Sequence, residues 1–193
     1  MRTPAAIRLA LGALILASVC ASAAASGLDE VMGQLALRRH GKVEFVEQQF
    51  LGALKRPLES FGEMTYQAPD RLEKHTLRPR EESLLLEGGT LTVQRGHSRH
   101  VLALRSYPQA LPFIESIRAT LAGDRPALER VFRVKFSGDV GEWSLTLEPL
   151  DASVAKSVAQ VQIDGARDQL RRVEIRQPDG DRSLMTLRPA PGS

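Results

Sequence analysis

The stretch Gly62-Glu-Met-Thr-Tyr-Gln-Ala-Pro-Asp-Arg-Leu-Glu-Lys-His-Thr-Leu-Arg-Pro79, continued by Glu81-Glu-Ser-Leu-Leu-Leu-Glu-Gly-Gly-Thr-Leu-Thr-Val93 and Gln94-Arg-Gly-His-Ser-Arg-His-Val-Leu-Ala-Leu104, decides the fold. Short alternating runs are broken by Pro69-Asp70, Pro79, Gly88-Gly89 and Gly96. Turn signals at this spacing describe a meander of antiparallel strands. Met64 and Tyr66 share one strand face, as do Leu84 with Leu86, Leu91 with Val93, and Leu102 with Leu104. Leu72 lies opposite Arg71 and Glu73 on the strand after Pro69-Asp70.

On the N-terminal side, Leu28 to His40 reads as a helix, with Leu28, Val31, Met32 and Leu35 forming one stripe and Gly41 as its stop. Lys42 to Leu54 reads as a strand apolar on both faces, with Phe45, Glu47 and Gln49 sharing one of them. Such a strand is covered on both sides, or it lines a cavity that needs a few polar atoms. Leu58 to Gln67 follows as the second strand.

On the C-terminal side, Tyr107 to Leu121 carries Phe113, Ile114, Ile117 and Leu121 at helical spacing, and Asp124 caps a short third helix. Strands then resume. Trp143, Leu145 and Leu147 alternate strictly with polar residues. Asp151 to Ser157 reads as a helical turn, and Ala159 to Ile163 and Val173 to Ile175 alternate again. Pro178-Asp-Gly-Asp181 marks a hairpin before Met185 and Leu187. The expected architecture is mainly β with α: about eleven antiparallel strands curled by their twist into an incomplete, open barrel, with amphipathic helices over the concave side.

The first residues stand apart from this pattern. Arg2 and Arg8 precede an apolar run from Leu9 to Val19, and Ala21-Ser-Ala23 and Ala23-Ala-Ala25 are small-x-small cleavage sites. We read residues 1–25 as a secretory signal peptide and 26–193 as a single domain. Val19 and the absence of Leu three positions earlier do not fit a lipoprotein signal at Cys20, so the mature chain is expected to lack cysteine. Without Arg2 and Arg8, 24 Lys and Arg face 23 Asp and Glu, a balance that with the exported location argues against nucleic acid.

With the elements in this order, the chain resembles the periplasmic outer-membrane lipoprotein carrier (LolA-like) family, as a divergent branch. The resemblance rests on Phe45-x-Glu-Gln48, Gly62-x-Met-x-Tyr-x-x-Pro-Asp-Arg-Leu72, the Leu84-Leu-Leu-Glu-Gly-Gly-Thr-Leu91 hairpin, the inserted helices and Trp143-x-Leu-x-Leu-x-Pro149. It implies a half-barrel with a helical lid whose cavity shields acyl chains in the periplasm, handed on between an inner-membrane transporter and an outer-membrane acceptor. Carriers of this kind often have a basic residue directly before the proline to tie down the lid; here Ala68 stands there, with Arg71 nearby.

The expected ligand is a lipid or a lipoprotein acyl chain, bound by a monomer without cofactor or metal. The expected cavity set is Phe45, Met64, Tyr66, Leu72, Leu84, Leu86, Leu91, Val93, Leu102, Leu104, Phe113, Ile114, Ile117, Trp143, Leu145 and Leu147. The alternative is a non-catalytic sensor of the same fold that recognises envelope lipids or a partner protein. Enzyme readings are weaker. Gly96-His-Ser-Arg-His100 approaches a Gly-x-Ser-x-Gly elbow, but His100 replaces the last glycine and a hairpin replaces the strand-to-helix turn. His75, His97 and His100 read as a solvated loop set, not as metal ligands.

Overall fold

The computed structural model describes residues 27–106 and 111–190, and of residues 111–113 only the backbone. The apolar stripe from Leu28 to Leu35 forms helix α1 (residues 27–37), which buries all four of its stripe residues. The meander follows as β1 (His40–Phe50), β2 (Leu58–Gln67), β3 (Arg71–Arg78), β4 (Glu82–Glu87), β5 (Thr90–Arg95) and β6 (Ser98–Ala103). After a 3-10 turn at Leu104–Ser106 come helices α2 (Leu111–Leu121) and α3 (Arg125–Val131). The chain closes with β7 (Phe132–Gly138), β8 (Trp143–Pro149), the single turn α4 (Ala152–Ala155), β9 (Gln160–Ala166), β10 (Gln169–Arg176) and β11 (Arg182–Pro189).

All eleven strands form one antiparallel sheet in the order β6-β5-β4-β3-β2-β1-β11-β10-β9-β8-β7. The first half of the meander runs outward from β1 to one edge, and the second half returns from the other edge to β11, which pairs with β1. The edge strands β6 and β7 are not paired with each other, so the sheet is an open barrel, as its mainly-β reading requires. The segment joining these two edges must cross the molecule, and its helical part is α2 and α3. Asp124 caps α3 as its residue type dictates, accepting the Ala127 N–H at 2.9 Å. At the corner between these helices Gly123 has φ +64°, and a Cβ there would lie 2.2 Å from the Met32 carbonyl of α1. A glycine is required on both counts.

The concave face carries the core. Strand register aligns Val43, Phe45 and Glu47 of β1 with Met64, Gly62 and Ser60 of β2 and with Pro189, Leu187 and Met185 of β11. Packed with α1 against this face are Trp143, Leu145, Leu147, Val161 and Ile163, each at most 3% exposed. The convex face carries crossed charges, for example Lys42 to Glu63 at 2.8 Å.

Two boundaries differ from expectation. The first helix ends at residue 37, not His40, because His40 and Gly41 pair with Gln67 and Tyr66 in β1. The Arg38 guanidinium turns away to Asp168, so the cationic run serves a strand and a distant loop and not the helix dipole. β1 stops at Phe50, short of Leu54, because Gly52 leaves the ladder and donates its N–H to Asp181 at 2.7 Å. The second helix is described from Leu111; the expected start at Tyr107 lies outside the described residues.

Candidate functional site

At the end of the sheet where β1 begins, the concave face does not close. A cavity of about 300 Å³ opens between β1–β3, β10–β11 and α2. Met64, Tyr66 and Leu72 form one wall, with Val43 beside them. Val173, Met185 and Leu187 form the other, joined by Leu170. Ile117 and Leu121 of α2 roof it. Polar groups stand among the lining residues as well: Arg38, Asp168, Gln169, Arg171 and Arg188. Arg38 bridges to Asp168 at 3.5 Å and donates to the Asp168 carbonyl at 3.1 Å, joining the end of α1 to the β9–β10 turn.

The wall continues along the sheet. Tyr66 pairs with Leu72, Leu72 with Leu86, Leu86 with Leu91 and Leu91 with Leu102, one apolar row from β2 to the β6 edge. A parallel row runs through Met64, Lys74, Leu84 and Val93. Leu86 is buried, while Leu72, Leu84, Leu91, Val93 and Leu102 are half-buried. The open half of the barrel thus presents a trough of aliphatic side chains leading away from the cavity.

Beyond Phe45 lies a polar clasp. Glu47, 7% exposed, accepts Lys74 Nζ at 2.5 Å, Ser183 Oγ at 2.8 Å, and Ser60 Oγ and Gln49 Nε2 at 3.4 Å each. Lys74 Nζ sits 4.8 Å from the centre of the Phe45 ring. Burial pushes the Glu47 carboxyl up, and the Lys74 ammonium with the Lys74, Ser183 and Gln49 hydrogen bonds more than offsets this, leaving it below the usual carboxylate range. With every donor supplied by β1, β2, β3 or β11, the clasp ties four strands together. Burial also raises the Tyr66 phenol, whose hydroxyl donates to the Pro69 carbonyl at 3.3 Å.

Of the residues singled out in the sequence, Met64, Tyr66, Leu72 and Ile117 line the cavity. Phe45 is fully buried between cavity and clasp. Leu84, Leu86, Leu91, Val93 and Leu102 lie along the trough, and Leu104 is buried beside Leu86 near Glu115 and Arg118 of α2. Ile114 is half-buried on α2. The Phe113 side chain lies outside the described residues. The structure places Trp143, Leu145 and Leu147 in the packed core with the stripe of α1. Val43, Leu121, Leu170, Val173, Met185 and Leu187 complete the cavity and were not singled out. Val173, Met185 and Leu187 carried the alternation that marks one sheet face, but nothing in that signal separates cavity wall from packed interior. Arg71 pairs with Glu87 and Glu73, on β3 and the neighbouring β4, and so does not reach α2 in place of the missing basic residue at Ala68. His97, Ser98 and His100 are exposed at the β5–β6 turn, and no three metal-ligating side chains come together among the described residues.

A family model described as outer membrane lipoprotein carrier protein LolA-like matches residues 20–190. The chain belongs to this LolA-like family. No curated protein matches it by sequence. Among solved structures, the LolA-like chain is similar to a LolA superfamily protein from Nitrosomonas europaea, at 12% identity and TM-score 0.44, covering 86% of this chain and 91% of that one. It is also similar to the lipoprotein LppX of Mycobacterium tuberculosis, at 12% identity and TM-score 0.44 over 84% and 93% of the two chains. A third similarity is to the MucA/MucB complex of Pseudomonas aeruginosa, at 12% identity and TM-score 0.45 over 86% of this chain and 59% of that one.

Proposed function

We propose that this LolA-like chain is a non-enzymatic periplasmic carrier that shields a lipid or lipoprotein acyl chain during transfer toward the outer membrane. The observation that carries this reading is the apolar cavity of about 300 Å³ under Ile117 and Leu121, continuous in register with the leucine row from Leu72 to Leu102. Its volume is at the lower end of the ~300–1,000 Å³ found for small-molecule sites. Such a space takes part of one chain, and the trough extends it.

Apolar burial supplies the affinity. Each buried methylene contributes about 0.8 kcal/mol, so about six to eight of them contribute about 5–6 kcal/mol. Binding of that size holds cargo yet lets an acceptor compete for it. The site residues are then Met64, Tyr66, Leu72, Ile117 and Leu121, with Leu170, Val173, Met185 and Leu187, and Leu84, Leu86, Leu91, Val93 and Leu102 along the trough. The carrier acts as a monomer between an inner-membrane transporter and an outer-membrane acceptor. Export rests on the signal-like residues 1–25 and on family membership.

Fluorescence of 1-N-phenylnaphthylamine tests the site. The dye brightens in the cavity and is displaced by lysophospholipid. A chain that neither brightens the dye nor binds acyl lipid by calorimetry is not a carrier.

A further inference from the structure

One end of the β1–β6 half gathers cations that no carboxylate neutralises. In an antiparallel meander the β1–β2, β3–β4 and β5–β6 turns all fall at one end, as the pairs Gln49 with Leu58, Thr76 with Glu82 and Arg95 with Ser98 show. These turns carry Lys55 and Arg56, Arg78 and Arg80, and Arg95 and Arg99, all exposed. Three carboxylates lie on these turns, Glu59, Glu81 and Glu82, and the neighbouring β10–β11 turn adds Asp179 and Asp181, the latter accepting the Gly52 N–H at 2.7 Å. Glu82 holds Arg95, Glu81 meets His75 and Glu59 accepts from Gln48. Among the described residues Lys55, Arg56, Arg78, Arg80 and Arg99 have no carboxylate partner. The β2–β3 and β4–β5 turns at the opposite end hold Asp70 and Glu87 with Arg71, which Glu87 engages at 3.0 Å, and Arg39 and Arg105 are the exposed cations that flank them.

Apolar side chains accompany the free cations. Leu54 is 45% exposed, and Leu58 and Leu77 are 51% exposed. Successive hairpins in a sheet are about 10 Å apart, so the three turns make a row roughly 20 Å long. Lys55, Arg56 and Arg80 sit in the turns and Arg78 and Arg99 on the strand residues beside them, and among the described residues none of the five has a side-chain hydrogen bond that would fix it for one shaped partner. Flexible cations interspersed with exposed leucines form the pattern of an interfacial surface: the leucines enter the headgroup boundary and the cations meet lipid phosphates.

We propose that this rim docks on an anionic lipid bilayer. The cavity opens at the other end of the sheet, by Gly41, Tyr66 and Asp168. Docking therefore leaves its mouth uncovered, and bilayer contact does not depend on the cavity holding a lipid.

Co-sedimentation with vesicles tests the rim. The chain is expected to bind vesicles of phosphatidylcholine with about 30% phosphatidylglycerol, to ignore pure phosphatidylcholine, and to release in ~0.5 M salt. Arg56→Gln with Arg80→Gln weakens binding roughly 30-fold, from about 1 kcal/mol per cation near an anionic surface. Arg39→Gln with Arg105→Gln removes the same charge at the opposite end of the sheet, just before β1 and just after β6, and leaves binding unchanged. Leu54→Ser with Leu58→Ser weakens binding while keeping its salt dependence. Equal binding to both vesicle types, no binding to the anionic ones, equal losses in the two arginine pairs, or binding to polyglutamate in place of vesicles each overturns the proposal. All the altered side chains are exposed, and unchanged urea midpoints verify that the variants are folded.

Discussion

Replacing Glu47 with glutamine removes the charge that neutralises Lys74 and leaves the size of the side chain intact. Lys74 Nζ is 2.5 Å from Glu47 Oε2, and the two side chains are 20% and 9% exposed. Breaking a fully buried pair by removing one partner costs about 3–5 kcal/mol. Lys74 keeps some contact with water, so the expected loss for Glu47→Gln is about 2–3 kcal/mol. Lys74→Met alone strands the carboxylate with only hydroxyl and amide donors and costs about 3 kcal/mol. The double variant removes both charges and places a methionine by the Phe45 ring, so it costs about 1 kcal/mol or less. The coupling between the two positions is then well outside the additivity error of about 0.5 kcal/mol. Urea unfolding read by Trp143, the single tryptophan and only 3% exposed, measures all three variants. A Glu47→Gln variant within 0.5 kcal/mol of the parent, or a double variant no better than its worse parent, refutes the reasoning.

The same clasp sets a pH dependence. Glu47 is held below its unfolded value near 4.3, so it stabilises the fold above that pH, and the contribution disappears as pH falls through the lower folded value. The gap in urea midpoint between the parent and Glu47→Gln should therefore narrow as pH drops from 6 to 3, and a gap that widens contradicts the assignment. At Gly165 an added Cβ would lie 2.2 Å from Trp143 Cζ2 and 2.5 Å from the Gln169 carbonyl, so Gly165→Ala should lose about 1–3 kcal/mol and redshift Trp143 emission. Leu121→Trp projects into the cavity from its roof. It should abolish dye binding and change the urea midpoint by less than about 1.5 kcal/mol, because the added ring occupies open space.

Strand positions were legible because alternation and turn residues are local signals. β2 begins at Leu58 and ends at Gln67, as its pattern reads, and the open eleven-strand sheet follows from the count and order of such runs. The end of α1 was not legible. Arg38, Arg39 and His40 look like a cationic last turn, yet Asp168 and Gln67, far along the chain, decide where Arg38 and His40 go. The cavity was half legible. Met64, Tyr66 and Leu72 share their alternation with Trp143, Leu145 and Leu147, but the former border the open space and the latter do not. Leu170 sits at a register shift in β10, where the period of two breaks and pattern reading fails. Glu47 was visible as a polar residue on the Phe45 face, but its partners Lys74 and Ser183 come from strands that only the topology brings beside it.

The proposed function requires the cavity between β2, β10, β11 and α2 to hold an acyl chain. Native mass spectrometry of the chain purified from the cell envelope tests it most directly. An added mass matching one acyl lipid is expected, released by organic extraction and missing from Leu121→Trp purified in the same way. A bare parent chain that also takes up no lipid on incubation would contradict it.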